Sequence, residues 1–308
     1  MNQRASFIAA ALFAALAPLP VTASVNPSYL RCEYRVDPLG IDTLKPRLSW
    51  ILTSGERAQK QSAYQLIVSS TREELGKHSG DVWDTGKIAG GESIQIEYAG
   101  KPLHANQECW WSVRVWDADG KPSGWSKPAR WTMGLLNKLD WTAKWIGCDI
   151  PRGQVESATY LPSPMLRKNF ATRAAIKRAL IHITAAGLYE LYVDGKLVSR
   201  DCLTPGWTEF HKRMYYQTYD VTGLIGDGGK HALAAMIGDG WYGLHHGGRG
   251  RLALLGQLHL EYQDGSTEDV TTDESWKCSY CSRASRAAST TSRCGRRSAP
   301  AARGWCAS

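Results

Sequence analysis

The chain has 308 residues, which is enough for two domains with separate cores. Its formal net charge is +8, but six of the positive charges are arginines after Lys277 and a seventh is Arg4. Residues 24–277 therefore carry about +1, which excludes the basic footprint of a nucleic-acid-binding domain.

The N-terminus has the pattern of a secretory signal peptide. Arg4 precedes an apolar run from Ala5 to Leu19, and Val21 and Ala23 supply the small residues of a cleavage site. This run is shorter than the roughly 18 apolar residues of a spanning helix, and no later segment reaches that length. We expect cleavage after about Ala23, no membrane span, and a mature protein that is secreted or periplasmic.

Residues 26–135 consist of short alternating segments separated by turns. Ser62–Ser70 alternates apolar and polar side chains, as a half-buried strand does, and Asp119-Gly120 marks a tight turn after a longer strand. A possible helical turn lies near Thr71 to Leu75. Strands of this length and spacing predict a β-sandwich.

A second group of strands occupies residues 165–277, after a connecting stretch over residues 136–164. Asp194-Gly195 and Asp264-Gly265 each stand between alternating apolar segments, which is the signature of a hairpin. The segment 230–238 has helix-forming residues, but its position between strands favours a strand. We predict a second β-sandwich of the jelly-roll type.

The cysteines fall into two groups. The tail holds one CxxC pair and two distant cysteines, whereas a zinc ribbon needs a second close pair. The four cysteines before residue 278 have no metal-ligand spacing and are either disulfide-bonded, with three possible connectivities, or simply buried. These are Cys32, Cys109, Cys148 and Cys202.

The C-terminal stretch 278–308 has no Val, Ile, Leu or Met and is rich in Ser, Ala, Arg and Gly. Such a segment has too little apolar surface to offset the entropy of ordering. We predict a disordered tail. Its composition is also typical of out-of-frame translation of a GC-rich gene, so that the gene product is expected to be truncated or frameshifted.

Several ordered motifs resemble one enzyme family. The stretch His182–Gly243 contains GLYELYVDG, LTPGWT, YYQTYDVT and GDGWYG, and the region before it contains PRLSW, YQLIVSS, WDTGKI and WWSVRVWDADG. Together they resemble the N-terminal fibronectin-type and jelly-roll domains of bacterial α-L-rhamnosidases, over roughly residues 26–277. The resemblance implies an all-β chain: a fibronectin-type β-sandwich, a jelly-roll β-sandwich and a disordered tail.

The family hydrolyses terminal α-L-rhamnose with inversion, using two carboxyl groups from an (α/α)6 barrel downstream of these domains. No helical-repeat segment occurs in this sequence, and the acidic residues of the second domain are typical of turns and solvated strand faces. We therefore assign no catalytic residue. The expected function is the non-catalytic N-terminal portion of an α-L-rhamnosidase. The alternatives are a stand-alone carbohydrate-binding module for rhamnose-bearing glycans and a structural or protein-interaction β-sandwich protein.

The resemblance also implies candidate ligand residues. Some family members bind rhamnose and calcium through polar residues at two Asn-Gly positions, which are Asp194 and Asp239 here. A carboxylate suits calcium, yet each aspartate could equally serve the turn before a glycine. Trp207, Trp241 and Tyr242 could stack on a sugar ring, or pack in the core.

Overall fold

The structure is a computed structural model that describes residues 24–148, 163–173, 175–226, 228–245 and 251–280. It also describes the backbone of three short strands near the C-terminus, Ser292–Arg293, Gly295–Arg296 and Gly304–Ala307. The predicted signal peptide and most of the predicted tail lie outside these residues. None of the helices in the described part of the chain is long and apolar enough to cross a membrane.

The first domain is a two-sheet β-sandwich, as predicted. One sheet has the order β1-β2-β6, and the other has the order β4-β3-β7-β8 with β5 paired to β3. The strands are β1 (Val25–Cys32), β2 (Arg47–Ser54), β3 (Ala63–Ser69), β4 (Trp83–Asp84), β5 (Ile88–Ala89), β6 (Ile96–Glu97), β7 (Glu108–Trp116) and β8 (Ala129–Thr132).

Three tryptophans fill the centre of this sandwich. Trp50, Trp111 and Trp131 are each no more than 1% exposed and belong to one core cluster. Each buries on the order of 200 Å², or roughly 5 kcal/mol of gross burial free energy. A short helix, α1 (Arg72–Gly76), begins where Thr71 accepts a hydrogen bond from the Glu74 N–H, so the predicted helical turn is present.

The second domain is also a sandwich of two sheets. The first sheet has β13-β12-β15-β10-β18 as neighbours, and the second has β9-β16-β11-β14 with β17 paired to β16. The strands are β9 (Ile146–Gly147), β10 (Pro164–Thr172), β11 (Ile176–Ala186), β12 (Leu188–Val193), β13 (Lys196–Leu197), β14 (Arg213–Asp220), β15 (Gly229–Gly238), β16 (Ala253–Tyr262), β17 (Thr267–Thr271) and β18 (Lys277–Tyr280).

Both predicted hairpins of this domain are present. Asp194 and Gly195 have φ angles of 49° and 76° and join β12 to β13 in a two-residue turn. Gly265, at φ 81°, closes the longer turn between β16 and β17. The segment 230–238 is strand, because β15 pairs with a neighbour on each side and its burial alternates.

Two predicted boundaries differ from the structure. Residues 136–164 were expected to be a connecting stretch, but β9 pairs with β16, and Trp145 packs against the second domain at 5% exposure. At the other end, β18 runs past residue 277, and Cys278 is 1% exposed. Strand pairing accounts for both differences: Ile146 pairs with Leu254 of β16, and Lys277–Tyr280 pairs with residues 164–167 of β10.

The two domains meet at a polar contact centred on His182, which lies on the outer face of β11 and is fully buried. Its Nε2 donates to Asn106 Oδ1 of the first domain at 2.7 Å, and its Nδ1 accepts from the Thr218 hydroxyl at 2.9 Å. Arg178 donates to the Asn106 carbonyl at 2.7 Å. We call this group the domain seam: Asn106, Arg178, His182 and Thr218.

Cys32, Cys109 and Cys202 are free thiols. Cys202 is exposed, whereas Cys32, Cys109, Cys148 and Cys278 are buried. In the first domain, Cys32 and Cys109 share the tryptophan-rich core, and burial raises the pKa of the Cys109 thiol to about 12. They behave as small apolar side chains there.

Candidate functional site

Two tryptophans form a flat aromatic surface on the second sandwich. Trp207, in the loop before β14, stacks on Trp241 with ring centroids 6.1 Å apart and an interplanar angle of 11°. Trp207 is 59% exposed, which is unusual for so large an apolar side chain. We call this pair the aromatic platform. Trp207 and Trp241 are two of the three aromatic residues that the sequence offered as candidates for stacking on a sugar ring.

Tyr242, the third nominated aromatic residue, faces the interior. It meets the buried Phe210 edge to face at 5.4 Å and packs against a small apolar cluster with Trp145. Burial raises the pKa of its phenol. Tyr242 therefore packs against the same apolar cluster as Trp241.

A glycine turn sets the position of Trp241. Helix α2 (Gly240–His245) begins immediately after Asp239, whose carbonyl accepts from the Gly243 N–H at 3.0 Å. Gly240 has φ 51°, and a β-carbon there would overlap the Leu188 side chain. Only glycine meets both conditions, so the sequence motif around Asp239 is a backbone requirement for the platform.

Asp194 lies far from the platform. It sits beside Ala232 at one end of β15, whereas Asp239 follows the other end, roughly 20 Å away at 3.3 Å per residue. Calcium binds its ligands at about 2.3–2.6 Å, so these two aspartates cannot share one ion. No group of three metal-ligating residues occurs in the described part of the chain.

The Asp194 carboxylate has local partners instead. One oxygen accepts from the Ala232 N–H at 2.7 Å, and the other pairs with His231 Nδ1 at 2.8 Å. Burial acts to raise its pKa, but the hydrogen bonds from His231 and Ala232 outweigh burial and lower it. Asp194 locks its own hairpin to β15. Calcium binding at Asp194 or at Asp239 stays a prediction.

Sequence reasoning missed a polar pocket that lies beside the same loop as Trp207. Tyr189, Ser199, Asp201 and Tyr219 are among the residues that line it. They are spread over two strands and a loop, so no spacing in the sequence joins them. The only signal was the run of three polar residues, Ser199 to Asp201.

Two family models match the chain. Residues 27–137 match the Rha78A-like, N-terminal immunoglobulin domain, and residues 174–291 match the alpha-L-rhamnosidase N-terminal domain. The chain carries the N-terminal domains of the α-L-rhamnosidase family. The observed order of two β-sandwiches agrees with that pair of domains.

Two curated α-L-rhamnosidases align over most of the chain. The alpha-L-rhamnosidase of Alteromonas sp. (strain LOR) is 38% identical over 258 residues, which are 79% of this chain and 27% of that protein. The alpha-L-rhamnosidase of Formosa agariphila is 35% identical over 255 residues, 78% of this chain and 27% of that protein. The chain thus spans about a quarter of the length of these relatives.

Solved rhamnosidase structures share the fold. The alpha-L-rhamnosidase from Dictyoglumus thermophilum superposes with a TM-score of 0.83 at 33% identity, covering 93% of this chain and 36% of that one. The Streptomyces avermitilis alpha-L-rhamnosidase complexed with L-rhamnose gives 0.74 at 26% identity, covering 82% and 41%.

The acidic residues of these rhamnosidase domains have structural partners. Burial acts to raise the pKa of Glu261, but Lys177 and Arg178 outweigh it and lower that pKa. The displaced carboxyl pKa values in the described residues all lie below the usual range, whereas a glycosidase acid needs a raised one. The groups are Glu33, Asp117, Asp194, Glu261, Asp264 and Asp273.

Proposed function

We propose that this chain is the non-catalytic N-terminal portion of an α-L-rhamnosidase that acts on terminal α-L-rhamnosides. The observation that carries the proposal is the superposition on the Dictyoglumus enzyme, which extends over 93% of this chain and therefore includes both domains and their relative placement. A similarity restricted to one sandwich would support only a common fold.

The chemistry of the described residues supports a non-catalytic role. Inverting hydrolysis needs a protonated acid and an ionised base about 6.5–9.5 Å apart, on opposite faces of the sugar. Two acids that face solvent in the second domain are instead engaged with neighbours. Glu190 accepts from Tyr192 at 2.7 Å, and Asp269 pairs with His259 at 2.7 Å. Hydrolysis is therefore assigned to the remainder of the enzyme.

A role in holding the sugar rests on the aromatic platform. The exposed ring of Trp207, fixed by stacking on Trp241, offers a flat apolar face to the C–H groups of a rhamnose ring. This favours rhamnose-bearing glycans or glycosides as the partner. The same observation favours the second candidate function, a stand-alone secreted carbohydrate-binding module. Secretion in either case rests on the signal-peptide pattern before Ser24.

Two measurements test the proposal. The purified chain is incubated with an aryl α-L-rhamnoside, and we expect no release of the aryl group; sustained hydrolysis by homogeneous protein would contradict the non-catalytic assignment. L-Rhamnose is then titrated calorimetrically into the chain and into Trp207→Ala, in calcium and in chelator. Binding that survives Trp207→Ala unchanged would remove the platform from the proposal, and binding insensitive to chelator would remove calcium.

A further inference from the structure

A pocket opens at the edge of the second sandwich, between β12 in one sheet and β14 in the other. The loop from Ser199 to Thr204 forms its outer wall, and its volume is about 190 Å³. Sites for drug-sized ligands begin at about 300 Å³, and a single water needs only about 15 Å³. The space therefore suits one small ring with its substituents.

The inner wall of the pocket is polar and held in place by hydrogen bonds. The Tyr189 hydroxyl donates to Gln217 Oε1 at 2.7 Å, and Gln217 Nε2 donates to the Pro205 carbonyl at 3.1 Å. The Tyr189 main chain exchanges hydrogen bonds with Thr204. Because both strands and the loop are tied together, the pocket is preorganised.

The reachable polar groups lie around Tyr219. Its hydroxyl is 3.5 Å from the Tyr189 hydroxyl and interacts with Asp201 and Ser199. Burial raises the pKa of Tyr219 to about 12, so the phenol stays protonated at neutral pH and can both donate and accept. The exposed Asp201 carboxylate accepts only. This mixture matches a ligand that presents several hydroxyl groups.

Aliphatic side chains also line the pocket: Leu191, Leu197 and Val198, of which Leu197 is 45% exposed. A lining that combines aliphatic carbons with hydroxyl and carboxylate groups suits a sugar ring, which presents both C–H and O–H groups.

We propose that this pocket binds one neutral pyranose ring. A negatively charged sugar is disfavoured, because two carboxylates, Glu190 and Asp201, line the pocket against a single guanidinium, Arg200. The pocket is separate from the aromatic platform, and its assignment does not depend on rhamnose recognition there.

The test is calorimetric titration of the full chain with three probes: L-rhamnose, methyl α-D-glucopyranoside and D-glucuronate. We expect at least one of the two neutral sugars to bind and the uronate not to bind. Tyr219→Phe and Asp201→Asn, each checked for an unchanged thermal midpoint, should weaken the neutral sugar about tenfold, the effect of one lost hydrogen bond. Tyr34→Phe, which loses a phenol in the first domain, is the matched control and should change nothing.

A second readout does not depend on the variants. Cys202 is exposed and lines the pocket. A bound ring should slow its alkylation by a maleimide, measured on the Cys202 peptide by mass spectrometry. The proposal is overturned if no neutral sugar binds, if Tyr219→Phe and Asp201→Asn bind as the parent does, if glucuronate binds equally, or if the sugar leaves Cys202 alkylation unchanged.

The outcomes also separate the pocket from the platform. Sugar binding that needs Trp207 but not Tyr219 would refute the pocket and retain the platform. Binding that needs Tyr219 but not Trp207 would retain the pocket and refute the platform as a sugar site.

Discussion

Acid should weaken the fold through His182. Burial lowers the pKa of this histidine to about 3, from an ordinary value of 6.5; His259 and Arg178 lower it further, and Asp269 opposes them. The unfolded chain takes up a proton below about pH 6.5, whereas the folded chain does not until about pH 3. Stability from this residue is thus present above about pH 6.5 and is lost as the pH falls toward 3.

The size of the effect follows from the width of that interval. One pKa unit is worth about 1.4 kcal/mol, so the two units between about pH 6.5 and about pH 4.5 amount to about 3 kcal/mol. Urea unfolding of the parent at about pH 7.5 and about pH 4.5 is compared with that of His182→Gln, which cannot titrate but can still donate to Asn106. We expect the parent to lose about 3 kcal/mol more than the variant.

Other groups also titrate in this range, so the test compares the loss of unfolding free energy in the parent with the loss in His182→Gln. His78→Gln removes an exposed imidazole from the first domain and should leave the acid sensitivity of the parent unchanged. Equal losses in the parent and in His182→Gln would refute the claim that the seam holds this histidine neutral.

Two substitutions separate scaffold from site. Asp194→Ala should lower the free energy of unfolding by about 2 kcal/mol without changing sugar affinity, because it removes two hydrogen bonds and places alanine at a positive φ. Asp194→Asn should lower it less. Loss of sugar binding in either variant would contradict the structural role of Asp194. Gly240→Ala should lower the thermal midpoint and weaken L-rhamnose binding by displacing Trp241. Gly223→Ala is the control and should do neither, because a β-carbon at Gly223 meets open space. Normal binding by Gly240→Ala would contradict the link between the turn and the platform.

The two sandwiches could be predicted because their information is local. The alternation in the sequence of β3 and the Asp-Gly turns are read from neighbouring residues, although β3 is buried on both faces and not on one as the alternation predicts. The seam could not be predicted, since His182 meets Asn106 across 76 positions of sequence. In the sequence, His182 looks like any polar residue on the outer face of a strand.

The candidate site divides in the same way. The motif around Asp239 pointed to Trp241, and the structure adds Trp207 as its stacking partner. The sequence treats Asp194 and Asp239 alike, because each is followed by a glycine, whereas the structure places them at opposite ends of β15. The pocket at Tyr219 was invisible, since two strands from different sheets build it.

The buried seam has a consequence for how these domains can be divided. The outer face of β11 carries His182 against the first domain and Ala186 against Trp145 of the joining segment, and both residues are 0% exposed. A fragment that begins after residue 163 would bare this face and leave His182 without Asn106. The two sandwiches therefore form one structural unit. Recombination or engineering can transfer both together, whereas transfer of the second domain alone destabilises it.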